Sequence, residues 1–116
     1  MKEHNVILEK TFGLGLRIIK LFKHLGQNKV ERDLCLQLLN SGTSAGANAE
    51  EAMEGSSRKD FIHKLEISYR EARETRYWIR LFKESNLLEA PLADSFIKDI
   101  EELLKILTAI LKSSGP

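Results

Sequence analysis

Apolar residues recur at spacings of three and four along most of the chain, which is the period of an amphipathic α-helix. Four such segments can be separated, at about residues 5–25, 29–54, 57–85 and 91–112. The connections between them are short, which favours antiparallel packing of consecutive helices. The pattern therefore predicts an all-α, antiparallel up-down-up-down four-helix bundle in which residues 1–116 form a single domain.

The ends of the segments carry residues that are typical of helix boundaries. Gly26 and Gly55 are predicted to end the first and second helices, because glycine favours helix C-termini. Ser56 or Ser57 is predicted to cap the third helix, and Pro91 suits the first turn of the fourth. The predicted apolar face of the first helix is Leu8, Phe12, Gly15, Ile19 and Phe22. That of the third helix is Phe61, Leu65, Ser68, Ala72, Thr75, Ile79 and Phe82. That of the fourth helix is Phe96, Ile100, Leu103, Leu107 and Ile110.

Residues 41–47 place two glycines among serine, threonine and alanine in the middle of the second helix. Each glycine inside a helix costs about 1 kcal/mol relative to alanine, so a compensating contact is expected. If the second and third helices are antiparallel about Gly55, small residues face small residues and the two backbones can approach closely. The residues predicted to make this contact are Gly42, Ser44, Gly46 and Ser68. The alternative is that residues 41–47 form a loop.

Four polar residues are candidates for burial between the second and third helices: Gln37, Asn48, Glu51 and Glu74. A buried carboxylate needs partners, because otherwise it protonates. One interpretation is an acid catalyst. The favoured one is a structural polar network that fixes the register of the two helices, since no second acid, metal set or nucleophile converges with these residues.

Basic residues are concentrated in the first and third helices, although the formal net charge of the chain is only +1. A basic flank of this kind can neutralise phosphates. The candidate nucleic-acid-binding residues are Arg17, Lys20, Arg70, Arg73, Arg76, Arg80 and Lys83. The alternative is a solvated surface whose charges pair along the helix, as in Glu66–Arg70 and Arg80–Glu84, or are covered by the acidic second and fourth helices.

The third helix carries a second apolar face, formed by Ile67, Tyr77, Trp78 and Leu81. These residues lie well over a right angle from the predicted buried face at 3.6 residues per turn. A helix in a monomeric bundle needs only one apolar face, so the second indicates an oligomer interface. The alternative is that these side chains pack onto the first or fourth helix.

Motifs for catalysis or metal binding are weak in this sequence. Residues 42–46 match the letters of the G-x-S-x-G nucleophile elbow, but that motif requires a preceding strand. A carboxylate-bridged metal centre needs two Glu-x-x-His pairs, and the chain has only three histidines and one cysteine. We therefore expect no enzyme and no catalytic, cofactor-binding or metal-binding residues. No targeting or membrane-spanning segment is apparent, which predicts a cytoplasmic protein without a membrane partner.

The run Gln37–Ala52, continued by Ser57–Phe61 and Glu71–Trp78, resembles the signature of the bacterial "four helix bundle protein" family. That family includes proteins encoded in intervening sequences of large-subunit (23S) ribosomal RNA genes. The resemblance covers nearly the whole chain, although Gly13 and Gly15 stand where alanines are expected and Ala52 replaces a common glycine.

The resemblance implies an antiparallel four-helix bundle that assembles as a ring-shaped homopentamer. The chain is also similar to the accessory variability proteins of diversity-generating retroelements, which implies DNA or RNA and a reverse transcriptase as partners. Two functions remain open at this point. One is a non-enzymatic oligomer that associates with nucleic acid through its basic flank, and the other is a structural protein-interaction module with no nucleic-acid role.

Overall fold

The computed structural model describes residues 2–114, which form the helices α1 (Lys2–Gln27), α2 (Arg32–Met53), α3 (Arg58–Glu84) and α4 (Ala90–Ser114). Each helix packs against the next along the chain, and α1 also packs against α4. Ion pairs join Lys10 to Glu102 and Arg17 to Asp99, so α1 and α4 run in opposite directions. The described residues contain no strand, which confirms the all-α four-helix fold.

Residues in the left-handed backbone region end two of the helices. After α1 this residue is Lys29, at φ 62°, and its amide donates to the Gly26 carbonyl while the Val30 amide donates to that of Leu25. This is the bonding of a Schellman motif. The prediction that Gly26 ends α1 was therefore wrong, since Gly26 lies within the helix. Asn86, at φ 62°, has the corresponding position after α3.

Ser57 caps α3 as predicted, because its hydroxyl accepts a hydrogen bond from the Asp60 amide at 3.1 Å. Gly55 follows the end of α2, and Pro91 lies in the first turn of α4. The predicted apolar faces of α3 and α4 are buried, except that Phe61 is only half-buried. These two helices therefore follow their sequence pattern closely.

The apolar face predicted for α1 is wrong. Phe12 is 60% exposed and Ile19 is 41% exposed, and the buried residues are those of a neighbouring stripe: Ile7, Thr11, Leu14, Ile18, Leu21 and Leu25. The helix is apolar on both stripes, so the spacing alone does not distinguish them. The close approach of α2 decides which stripe is buried, because Thr11 and Ile18 are the side chains that fit against the glycines of α2.

Residues 41–47 are helical throughout, and their glycines face α1 rather than α3. A Cβ atom on Gly42 would lie 2.7 Å from Cγ1 of Ile18, and one on Gly46 would lie 3.3 Å from the carbonyl oxygen of Thr11. The predicted pairing of these two glycines with α3 was therefore wrong. Their role is to let α1 approach α2 closely, where a side chain would clash.

The contact between α2 and α3 is made by small and hydroxyl-bearing residues. Ser68 donates a hydrogen bond to the Ala45 carbonyl across the contact, with an oxygen–oxygen distance of 2.7 Å. The Thr75 hydroxyl lies 3.0 Å from that of Ser41, and both side chains are buried. Buried hydroxyls need partners, and here each has one on its own or the facing helix.

Candidate nucleic-acid interface

The predicted polar network between α2 and α3 is not assembled, which corrects that prediction. Gln37, Glu51 and Glu74 are exposed, and Asn48 is half-buried and donates to Ser44 within its own helix. Glu51 pairs with Lys64 at 2.8 Å on the surface. The physical reason is the tightness of the contact, because uncharged hydroxyls fill the space that a carboxylate with its partners would need.

The outward face of α3 brings together four arginines and one tyrosine. Arg70, Arg73, Tyr77 and Arg80 follow each other at spacings of three, four and three, which places them on one side of the helix. With Arg76 and Glu74 they line a shallow surface depression. We refer to Arg70, Arg73, Arg76 and Arg80 as the α3 basic face.

Three members of this face form no ion pair among the described residues. Within residues 2–114, no carboxylate lies within ion-pairing distance of Arg70, Arg73 or Arg80, and all three are exposed. The intrahelical pairs Glu66–Arg70 and Arg80–Glu84 that the sequence suggested are not formed. The Arg73 guanidinium carbon lies 5.9 Å from the centre of the Tyr69 ring, and the charge of Arg70 acts on the nearby Glu71 carboxyl without an ion pair. The three guanidinium groups are therefore exposed to solvent and can contact phosphate oxygens.

The other predicted cations are mostly neutralised by α4. Arg17 pairs with Asp99 at 2.6 Å, Arg76 with Glu101 at 3.5 Å and Lys83 with Asp94 at 2.8 Å. The hydrogen bond and charge of Asp94 raise the pKa of Lys83 above its usual value. These pairs reduce the positive charge along the edge of α3 that adjoins α4, so the available charge lies on the outward side of α3.

Arg17 and Lys20 do not belong to the same surface as the α3 basic face. α1 and α3 lie diagonally across the bundle, so their backbones do not approach each other within the described residues. The ring contact that joins them, His4 with Phe61 at 5.1 Å between centroids, lies near the start of each helix, away from Arg17 and Lys20. Lys20 is exposed on α1, whereas Arg17 lies against α4 with its guanidinium carbon 4.0 Å from the centre of the Phe96 ring. The single flank predicted from α1 and α3 is therefore two separate surfaces.

The side chains predicted for an oligomer interface differ in exposure. Ile67 and Trp78 are half-buried, whereas Tyr77 is 53% exposed and Leu81 is 40% exposed. Trp78 packs against the core, and its ring nitrogen donates to Glu74 at 3.2 Å. The larger exposed apolar surface is on α1, where Phe12, Leu16 and Ile19 form what we call the α1 apolar face.

Sequence comparison identifies the family. A family model described as "23S rRNA-intervening sequence protein" matches residues 3–109. The chain belongs to the 23S rRNA-intervening sequence protein family. A solved structure from Bacteroides thetaiotaomicron VPI-5482, titled as a protein with unknown function from the S23 ribosomal protein family, is 38% identical. The match covers 95% of this chain and 98% of that one, with a TM-score of 0.92. No curated protein matches the chain.

Neither the description of the 23S rRNA-intervening sequence protein family nor that of the solved relative indicates an enzymatic activity. The described residues hold no cluster of histidine, cysteine or carboxylate side chains that could bind a metal ion. Cys35 is buried, and burial raises the pKa of its thiol, so little of the reactive thiolate is present. None of the described helices is both long enough and apolar enough to cross a membrane.

Two features of this family member were missed from the sequence. The buried hydroxyl pair Ser41–Thr75 could have been found, since Thr75 lies on the predicted apolar face of α3 and a buried hydroxyl requires a partner. The α1 apolar face was missed because the spacing predicts Phe12 and Ile19 to be core residues. The usable signal was that α1 has more apolar positions than one buried stripe requires.

Proposed function

We propose that the protein is a non-enzymatic homo-oligomer that associates with nucleic acid by contacting phosphates through the α3 basic face. The observation that carries this proposal is the exposure of Arg70, Arg73 and Arg80 without an ion pair among the described residues. Guanidinium groups form bidentate hydrogen bonds with phosphate and remain charged at any physiological pH. A row of them on one rigid helix is therefore suited to follow a phosphate backbone.

The small net charge of the chain does not argue against this function. The acidic residues are concentrated elsewhere, and those of α4 that reach α3 are used by Arg76 and Lys83. The local charge on the outward side of α3 is therefore positive even though the chain carries a net charge of +1. Oligomerisation would repeat this face in every subunit, and several weak contacts to one strand add up to high avidity.

The exposed apolar side chains support the homo-oligomeric part of the proposal. The α1 apolar face and Leu81 of α3 lie on diagonally opposed helices, so each subunit carries two different apolar surfaces. A contact between unlike surfaces is heterologous, and repeating it produces a closed ring when the rotation closes. The ring-shaped homopentamer that the family resemblance implies is an assembly of this kind.

The alternative function is a protein-interaction module without a nucleic-acid role, and the α1 apolar face favours it. Phe12, Leu16 and Ile19 are 60%, 51% and 41% exposed, and contiguous exposed apolar side chains mark contact surfaces in soluble proteins. In the retroelement branch of the resemblance, such a partner would be a reverse transcriptase. Under this alternative, the arginines of α3 serve only to keep the surface solvated.

Salt-dependent binding tests the proposal. Three proteins are titrated with labelled duplex DNA and structured RNA at salt concentrations from about 50 to about 300 mM. They are the parent, Arg73→Glu/Arg80→Glu and the control Lys98→Glu/Lys105→Glu. The control makes the same change in charge at two exposed positions of α4. We expect parent and control to bind at low salt, with a logarithmic slope of about −0.9 per phosphate contact on duplex DNA.

We expect the α3 variant to bind at least about tenfold more weakly and with a shallower slope, since each lost phosphate contact reduces the slope by about 1. Equal weakening of the α4 control would show that only total charge matters. Tight binding that ignores salt and charge reversal would contradict the mechanism. If the parent does not bind at low salt, the protein-interaction module becomes the better function.

A further inference from the structure

An exposed aromatic ring lies within the α3 basic face. Tyr77 is 53% exposed and lines the same depression as Arg70, Arg73, Arg76 and Arg80. It also lines the neighbouring depression between α3 and α4, together with Arg76 and Arg80. Its hydroxyl makes no hydrogen bond to any described residue, and its ring contacts that of Trp78 by one edge only, so a face of the ring is open to solvent.

We propose that Tyr77 is a stacking platform for a nucleobase and that the α3 basic face binds single-stranded polynucleotide in preference to duplex. This inference rests on the proposed function. In a duplex the bases are stacked on each other inside the double helix and cannot stack on Tyr77. A duplex can therefore bind this face only through contacts between its phosphates and the arginines. A single strand can place an unpaired base on the ring while its phosphates meet the guanidinium groups on either side.

The surroundings of Tyr77 hold its ring in place. The ring meets that of Trp78 edge to face, with centroids 5.8 Å apart and an angle of 70° between the planes. Trp78 is itself fixed by its hydrogen bond to Glu74 and by its contact with Phe82, whose ring centroid is 6.4 Å away. A ring that is ordered before binding loses little conformational entropy when a base stacks on it.

The position of Tyr77 around the helix separates it from Trp78 and from Ile67, which lies about 80° away, although Leu81 is on the same side at about 40°. At 3.6 residues per turn it lies about 100° from Trp78 but within about 60° of Arg70, Arg73 and Arg80. A subunit contact centred on Tyr77 would bury these guanidinium groups without an ion pair from the described residues of their own chain, which is costly. The same arginines stabilise the complex if a base stacks on the ring, because the phosphates next to that base can then contact the guanidinium groups.

The test compares single strands with a duplex. Fluorescence anisotropy is measured with 20-nucleotide oligo(dT) and oligo(U) and with a 20-base-pair DNA duplex of mixed sequence, at one salt concentration (about 50 mM) at which phosphate contacts are strong. The proteins are the parent, Tyr77→Leu, Tyr77→Phe and Leu81→Ala. Tyr77→Leu removes the aromatic ring and keeps apolar volume, Tyr77→Phe keeps the ring, and Leu81→Ala shortens a neighbouring exposed side chain.

We expect the parent to bind single strands more tightly than duplex. Tyr77→Leu should weaken single-strand binding about 10- to 100-fold, the range for loss of one base–aromatic stack, and leave duplex binding within about twofold. Tyr77→Phe should resemble the parent, and Leu81→Ala should keep the preference for single strands because it keeps the ring. A 5-iodouridine strand should crosslink to Tyr77 on irradiation, and both Tyr77 variants should keep the parent's mass by light scattering.

The outcomes separate this inference from the proposed function. Duplex binding as tight as single-strand binding, or equal losses on both probes in Tyr77→Leu, would overturn the stacking role while the α3 basic face remained the binding site. A reduced mass for Tyr77→Leu would also overturn it, since Tyr77 would then lie between subunits. If binding of both probes persists in Arg73→Glu/Arg80→Glu, the proposed function itself fails.

Discussion

From Ser41 to Ala52, the residues of α2 that are buried against the neighbouring helices are glycine, alanine and serine, whereas the outward face of α3 carries long basic side chains and a tyrosine. The α2 positions are determined by space, because a Cβ on Gly42 would lie 2.7 Å from Ile18. Among the described residues no such steric constraint acts on Arg70, Arg73 or Arg80, and the guanidinium carbon of Arg73 lies 5.9 Å from the centre of the Tyr69 ring. The contrast indicates that the buried contacts of α2 determine the fold and that the outward face of α3 is available for function.

The largest effect that would test this comparison is expected at Gly42. Gly42→Ala should lower the free energy of unfolding by about 1–2 kcal/mol, because overpacking against Ile18 outweighs the higher helix propensity of alanine. Gly13→Ala is the matched control, since no atom lies within 4 Å of its Cβ position. That variant should gain up to about 1 kcal/mol. Urea unfolding measures both, and the same sign for the two variants would contradict the close approach of α1 and α2.

A smaller loss is expected from the hydroxyl pair between α2 and α3. Thr75→Val should cost about 1 kcal/mol, since it removes the hydrogen bond to Ser41 but keeps the shape of the side chain. Thr43→Val is the control, because the Thr43 hydroxyl bonds only within its own helix. A double-mutant cycle of Thr75→Val with Ser41→Ala should show coupling. Strictly additive losses would mean that the pair contributes nothing across the contact.

The arginines of α3 should have almost no effect on stability. Arg70→Gln, Arg73→Gln and Arg80→Gln should each change the free energy of unfolding by less than about 0.5 kcal/mol, as expected for exposed positions that form no ion pair among the described residues. A loss of more than about 1 kcal/mol in any of them would show that this side chain stabilises the bundle. That result would contradict the separation between the structural contacts of α2 and the functional face of α3.

Glu71, half-buried beside the α3 basic face, should have the smallest effect. Burial raises the pKa of its carboxyl, the negative charge of Glu74 raises it further and Arg70 opposes them. The folded state therefore binds this proton more tightly than the unfolded state, and stability falls as the pH rises through the unfolded and then the folded pKa. Glu71→Gln does not titrate, so it should be slightly more stable than the parent at pH 7 and equal to it at about pH 3. A variant that is less stable at pH 7 would show that the carboxylate is stabilising.

The fold was predictable because its signals are local and repeated. The stripe of α3 from Leu65 to Phe82 and that of α4 from Phe96 to Ile110 each specify one buried face. In α1 two apolar stripes compete, and the choice depends on Gly42 and Gly46, which are distant in sequence. The end of α1 was missed because Lys29, rather than a glycine, adopts the left-handed conformation.

The candidate site was predictable only in part. Spacing placed Arg70, Arg73 and Arg80 on one side of α3, but it could not show which cations the acids of α4 neutralise. The diagonal arrangement of α1 and α3 also separates Lys20 from the arginines, and a helical wheel of either helix alone does not contain that information. The same spacing places Tyr77 among these arginines, but only the structure shows that its ring is exposed there.

Arginine footprinting tests the central claim most directly. The protein is treated with phenylglyoxal, with and without a saturating single-stranded polynucleotide at low salt, and modification at each arginine is read by mass spectrometry. The account predicts strong protection of Arg70, Arg73 and Arg80, and unchanged modification of the exposed Arg32 at the start of α2. Protection at Arg32 with none at the three arginines of α3 would contradict it.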